Sequence, residues 1–328
     1  MKRFLSSVKH SVKKIFLRKE ILASYYKDAL AYMKYSNMFK KNETVEKLLP
    51  NLIRQYHVIE KGLTMPDLRL GFGRERIMNL SKDCLIYAKK FDKNHEQFSN
   101  CLKIIAEYKQ LHEENNYNFD DSLQNAIDKA LILMEGISAG SQIQTKKELY
   151  FSNTSSDFKN FSNSRHSLRH FEGTIDDNLI LQSIKLAQNA PSSCNRQPAR
   201  VYFIQNREII KKLLQIQNGN RGFGHLADKL LVVTSELGGY IPPKERNSVY
   251  IDGGMYAMNL LYALHYYQIG ACALNTSLKY KDEQSVRKIL NIPISERLIL
   301  MIVCGAPPAH FYLANSKRSD FHSICKII

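Results

Sequence analysis

The chain has 328 residues, 44% apolar and 24% charged, which is enough for a sizeable core and argues against wholesale disorder. Its net charge is +16, and residues 1–40 hold ten Lys/Arg against only Glu20 and Asp28. No run of about 18 apolar residues is present, so no membrane-spanning helix is expected.

The start, "MKRFLSSVKHSVKKIF", is basic, but Lys9, Lys13 and Lys14 interrupt its apolar stretch, which reads against a secretory signal. A basic, partly amphipathic segment of this kind suits an anionic membrane surface, nucleic acid or an acidic partner, or a solvated helix face. No nucleic-acid motif accompanies it, so a peripheral membrane contact is the partner reading kept.

Residues 1–140 read as almost wholly helical. The spacing predicts one helix over 81–115, from Cys84, Leu85, Tyr87, Ala88, Phe91, Phe98, Leu102, Ile105 and Tyr108, with Ser81 as N-cap. A second helix is predicted over 120–137. Gln142–Asn163 turns polar and rich in Ser, Asn and Lys, as a linker or surface loop would. This divides the chain into a helical extension (1–145), a linker (146–163) and a C-terminal domain (164–328).

In the C-terminal domain, helix 177–188 leads to a strand at 200–206. A continuous apolar strand follows at 227–237, then a helix at 251–270 that is apolar on nearly all faces and expected to be buried, between subunits if not within one. A short helix at 282–290 and a strand at 297–307 follow, and the tail "FHSICKII" is expected as a last strand. Helices alternating with buried strands indicate an α/β or α+β sheet domain. The six cysteines (84, 101, 194, 272, 304, 325) include no CxxC pair and fit buried, reduced thiols in a cytoplasmic protein.

Three segments carry candidate chemistry. "SRHSLRHF" (164–171) places Arg165, His166, Ser167 and Arg169 within five residues, a set suited to a phosphate. "APSSCNRQP" (190–198) fixes its backbone with two prolines, leaving N–H groups and the Asn195 and Gln197 amides for a ligand. "NSKRSD" (315–320) adds Lys317 and Arg318 after the last core strand. Together they suit a planar heterocycle carrying a phosphate. In the extension, "YHVIEKGLTMPDLRLGFGRERI" (56–77) reads either as a lid recognising an acidic or sugar-like substrate or as a helix end with a packed loop. A metal at His57 and Glu60 is not expected, because no third ligand is evident.

These motifs resemble those of the FMN-dependent nitroreductase-like oxidoreductases. Arg165–Phe171 matches R-[RH]-S-x-[RK]-x-F, and Ala190–Pro198 matches A-P-S-[SG]-x-N-x-Q-P. The later "GGMYAMNLLYALHYYQIGACAL" helix and the closing "CGAPP…KR" also fit, so the resemblance spans about residues 163–318. It implies an α+β fold, a nitroreductase-like mixed β-sheet flanked by helices, preceded by the mostly helical extension.

By the same resemblance, Arg165, His166 and Ser167 would hold the FMN phosphate with Lys317 or Arg318. Arg169 would lie at the N1/O2 edge of the flavin, and Ser193, Asn195 and Gln197 would contact the ring or ribityl chain. The flavin would be shared across a homodimer. Electrons would pass from NAD(P)H to a small organic acceptor, a nitro compound, a quinone or an intermediate of surface-polysaccharide synthesis. No protein acid or base is obligatory for such a transfer, and no catalytic side chain is singled out. The family often has Trp after Q-P, whereas this chain has Ala199 and Arg200 and no tryptophan. The alternative is the same fold acting as a non-redox flavin-binding or membrane- or partner-docking module.

Overall fold

The computed structural model describes residues 2–37, 44–134, 140 and 142–328, with residues 2–12 described by their backbone alone. The extension opens with α1 (Lys2–Tyr35), followed by α2 (Val45–Leu63), α3 (Arg74–Lys90), α4 (Glu96–Glu114) and α5 (Asp121–Leu131). Helices α2 to α5 close around one core in which Leu52, Ile59, Ile77, Leu80, Leu102 and Ile105 are fully or almost fully buried.

The single helix expected over 81–115 is two helices, and local polar chemistry explains the break. Asp92 accepts a hydrogen bond from the Asn94 amide (2.9 Å), and the His95 ring caps α4 by accepting from the Gln97 amide (3.1 Å). Side chains that bond to nearby backbone offer it an alternative to the helical ladder. Ser81 is not an N-cap, because α3 already begins at Arg74, after Gly73 in the left-handed region, and Ser81 lies buried inside it. Asp120 does cap α5, accepting from the Leu123 amide (3.1 Å). That helix ends at Leu131, and residues 135–137 of the expected span lie outside the described residues.

The segment expected as a linker is structured. β1 (Ile143–Lys146) leads into α6 (Lys147–Tyr150), and α7 (Phe158–Ser164) follows. The next elements are α8 (Asp177–Ala187), β2 (Ala199–Ile204), α9 (Arg207–Gln217), β3 (Lys229–Glu236), α10 (Ser248–Tyr266) and β4 (Gly270–Asn275). The chain ends with α11 (Tyr280–Leu290), β5 (Glu296–Gly305), β6 (His310–Leu313) and α12 (Phe321–Ile324). β1 pairs antiparallel with β6, Thr145 opposite Phe311, so the supposed linker is pinned to the far end of the chain. Its polar composition hid this because a short edge pairing needs backbone groups more than apolar side chains.

The main sheet has the order β2-β3-β5-β4. Each of its ladders is antiparallel, whereas the resemblance implied a mixed sheet. The difference lies in the connections. Between β2 and β3 the chain runs through α9 and the 218–228 loop, and between β4 and β5 through α11, and both connections bring it back antiparallel to the strand it left. Along β3 the side chains alternate between two cores. Leu230 and Val232 face the layer holding Leu213, Val286 and Tyr150, while Leu231 and Val233 face α8 and α10 through Ile180, Leu260 and Leu264.

α10 is buried on that side only. Ile251, Met255, Met258 and Tyr266 remain exposed on it, so the expectation of burial on nearly all faces is not met within one chain. The tail forms the short α12, capped by Asp320, which accepts from the His322 amide (2.8 Å), in place of the expected last strand.

Tyr150, at the end of α6, shows how the 143–164 segment stiffens the neighbouring 165–171 stretch. Its ring packs edge-on against Phe151 and Phe311, and its hydroxyl donates to the His166 carbonyl (3.0 Å). Burial pushes its pKa up to about 12, so it stays a neutral donor. Tyr150→Ala should destabilise the protein by about 3–5 kcal/mol and Tyr150→Phe by about 1 kcal/mol in urea unfolding. Equal losses for the two variants would contradict this packing role.

Candidate functional site

Arg165–Phe171 follows α7 as an extended segment laid along the end of the main sheet. The Leu168 amide donates to the Ala271 carbonyl (2.9 Å) on β4, and the Glu172 amide to the Ala306 carbonyl (2.7 Å) beyond β5. Leu168 and Phe171 bury themselves in the core. Alternation about Leu168 in this extended chain turns its neighbours Ser167 and Arg169 to the other side.

They open into a pocket of about 320 Å³, lined also by Arg165, His166, Lys317 and Arg318. Six of the nine residues singled out in the sequence therefore converge. The helical extension supplies the facing wall with Ile53, Tyr56 and His57 of α2. Four permanent cations line the space, and none of its lining residues is acidic. Among the described residues, the Arg165 Nε is buried without a protein partner. A guanidinium left so, among other cations, is a site for an anion.

The basic loop 314–320 is held from the extension. Glu60, fully buried, accepts from the Ser316 amide (2.7 Å) and contacts His57 Nδ1 (2.9 Å). Gln97 donates to the Lys317 carbonyl (3.1 Å) and the Ser319 hydroxyl (3.3 Å), and accepts from the Tyr56 hydroxyl (2.5 Å). Ser316 adopts a left-handed backbone (φ 50°), and Glu96 accepts from the Asp320 amide. Glu60 and Gln97 could not be identified as loop supports from sequence, since their partners lie 256 and 220 residues away.

The crowding of cations leaves a mark on nearby groups. Burial, and then the adjacent Arg169, lower the Lys61 pKa. Burial also lowers that of His166, with Arg165 and Arg318 adding to the effect against a hydrogen bond to the Ser164 carbonyl. His265, at the end of α10, contacts the Ser164 hydroxyl through Nε2 (2.8 Å), and its Nδ1 has no partner. Burial, with Arg165 and His166 beside it, takes its pKa down to about 4.

Ser193, Asn195 and Gln197 lie elsewhere in the same chain. The loop that follows α8 holds Cys194, Asn195 and Gln197 at φ 51°, 54° and 52°, a concentration of left-handed non-glycine residues that must be held by its surroundings. Asp252 of α10, itself buried, does much of the holding. It accepts from the Ser193 amide (2.9 Å), the Ser193 hydroxyl (3.1 Å) and the Tyr240 hydroxyl (2.9 Å). Ser192 accepts from the Gln197 amide (2.9 Å). Arg196 is taken up by Glu245 (2.6 and 2.8 Å) and is not available to a ligand. Arg200, standing just past the position where Trp was expected, folds back onto the Gln197 and Ala199 carbonyls (3.1 and 2.8 Å).

Gln197, Arg200 and Asp252 border a second pocket of about 350 Å³, which shares no lining residue with the first. The 56–77 stretch also divides. His57 faces the cationic pocket, while Lys61, Met65, Arg69 and Phe72 border a neighbouring space of about 400 Å³ with Arg221 and Phe223. Gly62 permits this turn, because a Cβ there would fall 2.0 Å from the Phe72 ring.

Comparison with known proteins agrees with the motif reading. The Nitroreductase family model matches residues 163–220 and 215–306, which makes the C-terminal half of this chain nitroreductase-like. No curated protein matches. Among solved structures, a nitroreductase family protein from Streptococcus pneumoniae is 18% identical, covering 52% of this chain and 100% of its own (TM-score 0.47). A nitroreductase-like protein from Streptococcus mutans is 20% identical, with coverages of 53% and 99% (TM-score 0.45). An FMN-dependent nitroreductase from Clostridium difficile is 20% identical, with coverages of 50% and 92% (TM-score 0.39).

The depressed His265 has a measurable consequence. Its folded-state pKa lies below the unfolded value, so between about pH 6.5 and 4 the unfolded chain binds more protons and folding is weakened as pH falls. Acidification from pH 7.5 to 5 should cost about 2 kcal/mol through this residue. His265→Gln should lose correspondingly less in urea unfolding at the two pH values, and an unchanged acid loss would refute the assignment.

Proposed function

We propose that the protein is an FMN-dependent oxidoreductase that passes electrons from NAD(P)H to an organic acceptor such as a nitro compound or a quinone. The observation that carries this reading is the cationic pocket, with Arg165, Arg169, Lys317 and Arg318 around one space and the Arg165 Nε buried without a partner. The match of residues 163–306 to the family supports it.

Arg165, Ser167, Lys317 and Arg318 would hold the phosphate, and His166, kept neutral by its surroundings, adds hydrogen bonding without further charge. Arg169, 9% exposed and backed by Lys61, would present fixed positive charge to the edge of the ring system. The bound flavin would supply the hydride chemistry itself, so the chain's part is binding, orientation and electrostatics.

Ser193, Asn195 and Gln197 would then serve the flavin of a second subunit. The separate pocket that Gln197 borders and the apolar residues that α10 leaves exposed support this reading. Residues 56–77 would border the space where acceptors arrive.

Purified protein should be yellow or should quench added FMN fluorescence, and Arg165→Ala should weaken FMN about ten- to a hundredfold. Failure of the wild type to bind FMN would end this reading. Gln97→Met removes the support of the Lys317 carbonyl while approximately keeping side-chain volume. It should weaken FMN about three- to tenfold and leave riboflavin, which lacks the phosphate, unaffected. Equal losses for the two flavins would show that Gln97 does not act through the phosphate loop.

A further inference from the structure

We propose that α1 is a membrane-surface helix whose apolar face lies on a bilayer carrying anionic headgroups, with the rest of the protein attached to its opposite side. The inference is independent of the flavin reading.

Two observations fix the geometry. First, among the described residues α1 is tied to the body along one side. Asp28 receives the Arg246 guanidinium at 2.7 and 3.0 Å, and Tyr32 and Tyr35 border a cleft shared with Asn247 and Tyr250. Second, helical spacing puts Ile15, Phe16, Leu22, Tyr26, Leu30 and Met33 on the side turned away from that contact. All six are exposed, Leu22 by 70% and Tyr26 by 64%. They form a stripe about 120° wide, broken only by Lys19, whose long stem can lie along apolar surface with its ammonium in water.

Charge identifies the occupant. Lys13, Lys27 and Lys34 border the stripe on one side, and Lys14 and Arg18 on the other. Over its whole length α1 has nine Lys/Arg against Glu20 and Asp28, and Asp28 is already engaged by Arg246. Two such helices paired along their stripes would bring like charges together and bury Lys19. An apolar face that includes Tyr26 and is flanked by cations is what the interface of an anionic bilayer accepts. Among the described residues no helix is long and apolar enough to cross a membrane, so α1 would lie on the surface.

The test is flotation of the full chain with vesicles of phosphatidylcholine alone or with phosphatidylglycerol added, at low and high salt, alongside light scattering without lipid. Wild type should float with the anionic vesicles, less so in high salt, and remain behind with the neutral ones. Leu22→Glu/Tyr26→Glu should reduce anionic-vesicle binding about tenfold or more, as should Lys13→Glu/Lys14→Glu/Arg18→Glu, with unchanged circular dichroism. Wild type that ignores anionic vesicles, or a Leu22→Glu/Tyr26→Glu variant that binds them undiminished, overturns the proposal. So does the outcome in which that variant ignores lipid but falls to a smaller oligomer, since the face would then belong to a second copy of this chain.

Discussion

Four like charges in one small pocket repel one another, and much of the structure serves to keep them there. Arg165 and Arg169 lie on a segment anchored by its alternate residues, Leu168 in the core and its amide on β4. Lys317 and Arg318 lie on a loop whose backbone is gripped by Glu60, Gln97 and Glu96. Burial, with this charge adding to it, moves the surrounding Lys61, His166 and His265 toward their neutral forms. The carboxyl group of Glu60 is turned to Ser316 and His57 and does not line the pocket.

This arrangement ties the helical extension to the rest of the chain through the site. It supplies one wall of the pocket through Ile53, Tyr56 and His57, and it shapes the basic loop opposite. The intervening segment adds β1 to β6 and places Tyr150 against His166. The two halves of the sequence therefore meet in one site, although they keep separate hydrophobic cores.

The second set of ligand-binding candidates follows a different logic. Three left-handed residues in the 192–197 loop are costly, and the buried Asp252 offsets that cost by bonding Ser193 through both amide and hydroxyl. The loop presents its Gln197 to a pocket that shares no lining residue with the cationic one.

Much was legible in the sequence. The strands β2, β3 and β5 and the helices α8, α10 and α11 follow from continuous apolar runs or amphipathic spacing, which local chemistry controls. The cationic residues were equally visible, since Arg165, His166, Ser167 and Arg169 stand together and Lys317 and Arg318 form a pair. What only the tertiary structure decided was of longer range: the pairing of β1 with β6, the placing of the Gln197 loop away from the cations, and the roles of Glu60 and Gln97. None of these leaves a periodic trace. A buried carboxylate or amide is chosen for a backbone group more than two hundred residues away, and a four-residue strand is chosen by the edge that it covers. Periodicity reports which face of an element is buried, and only the folded chain reports what that face is buried against.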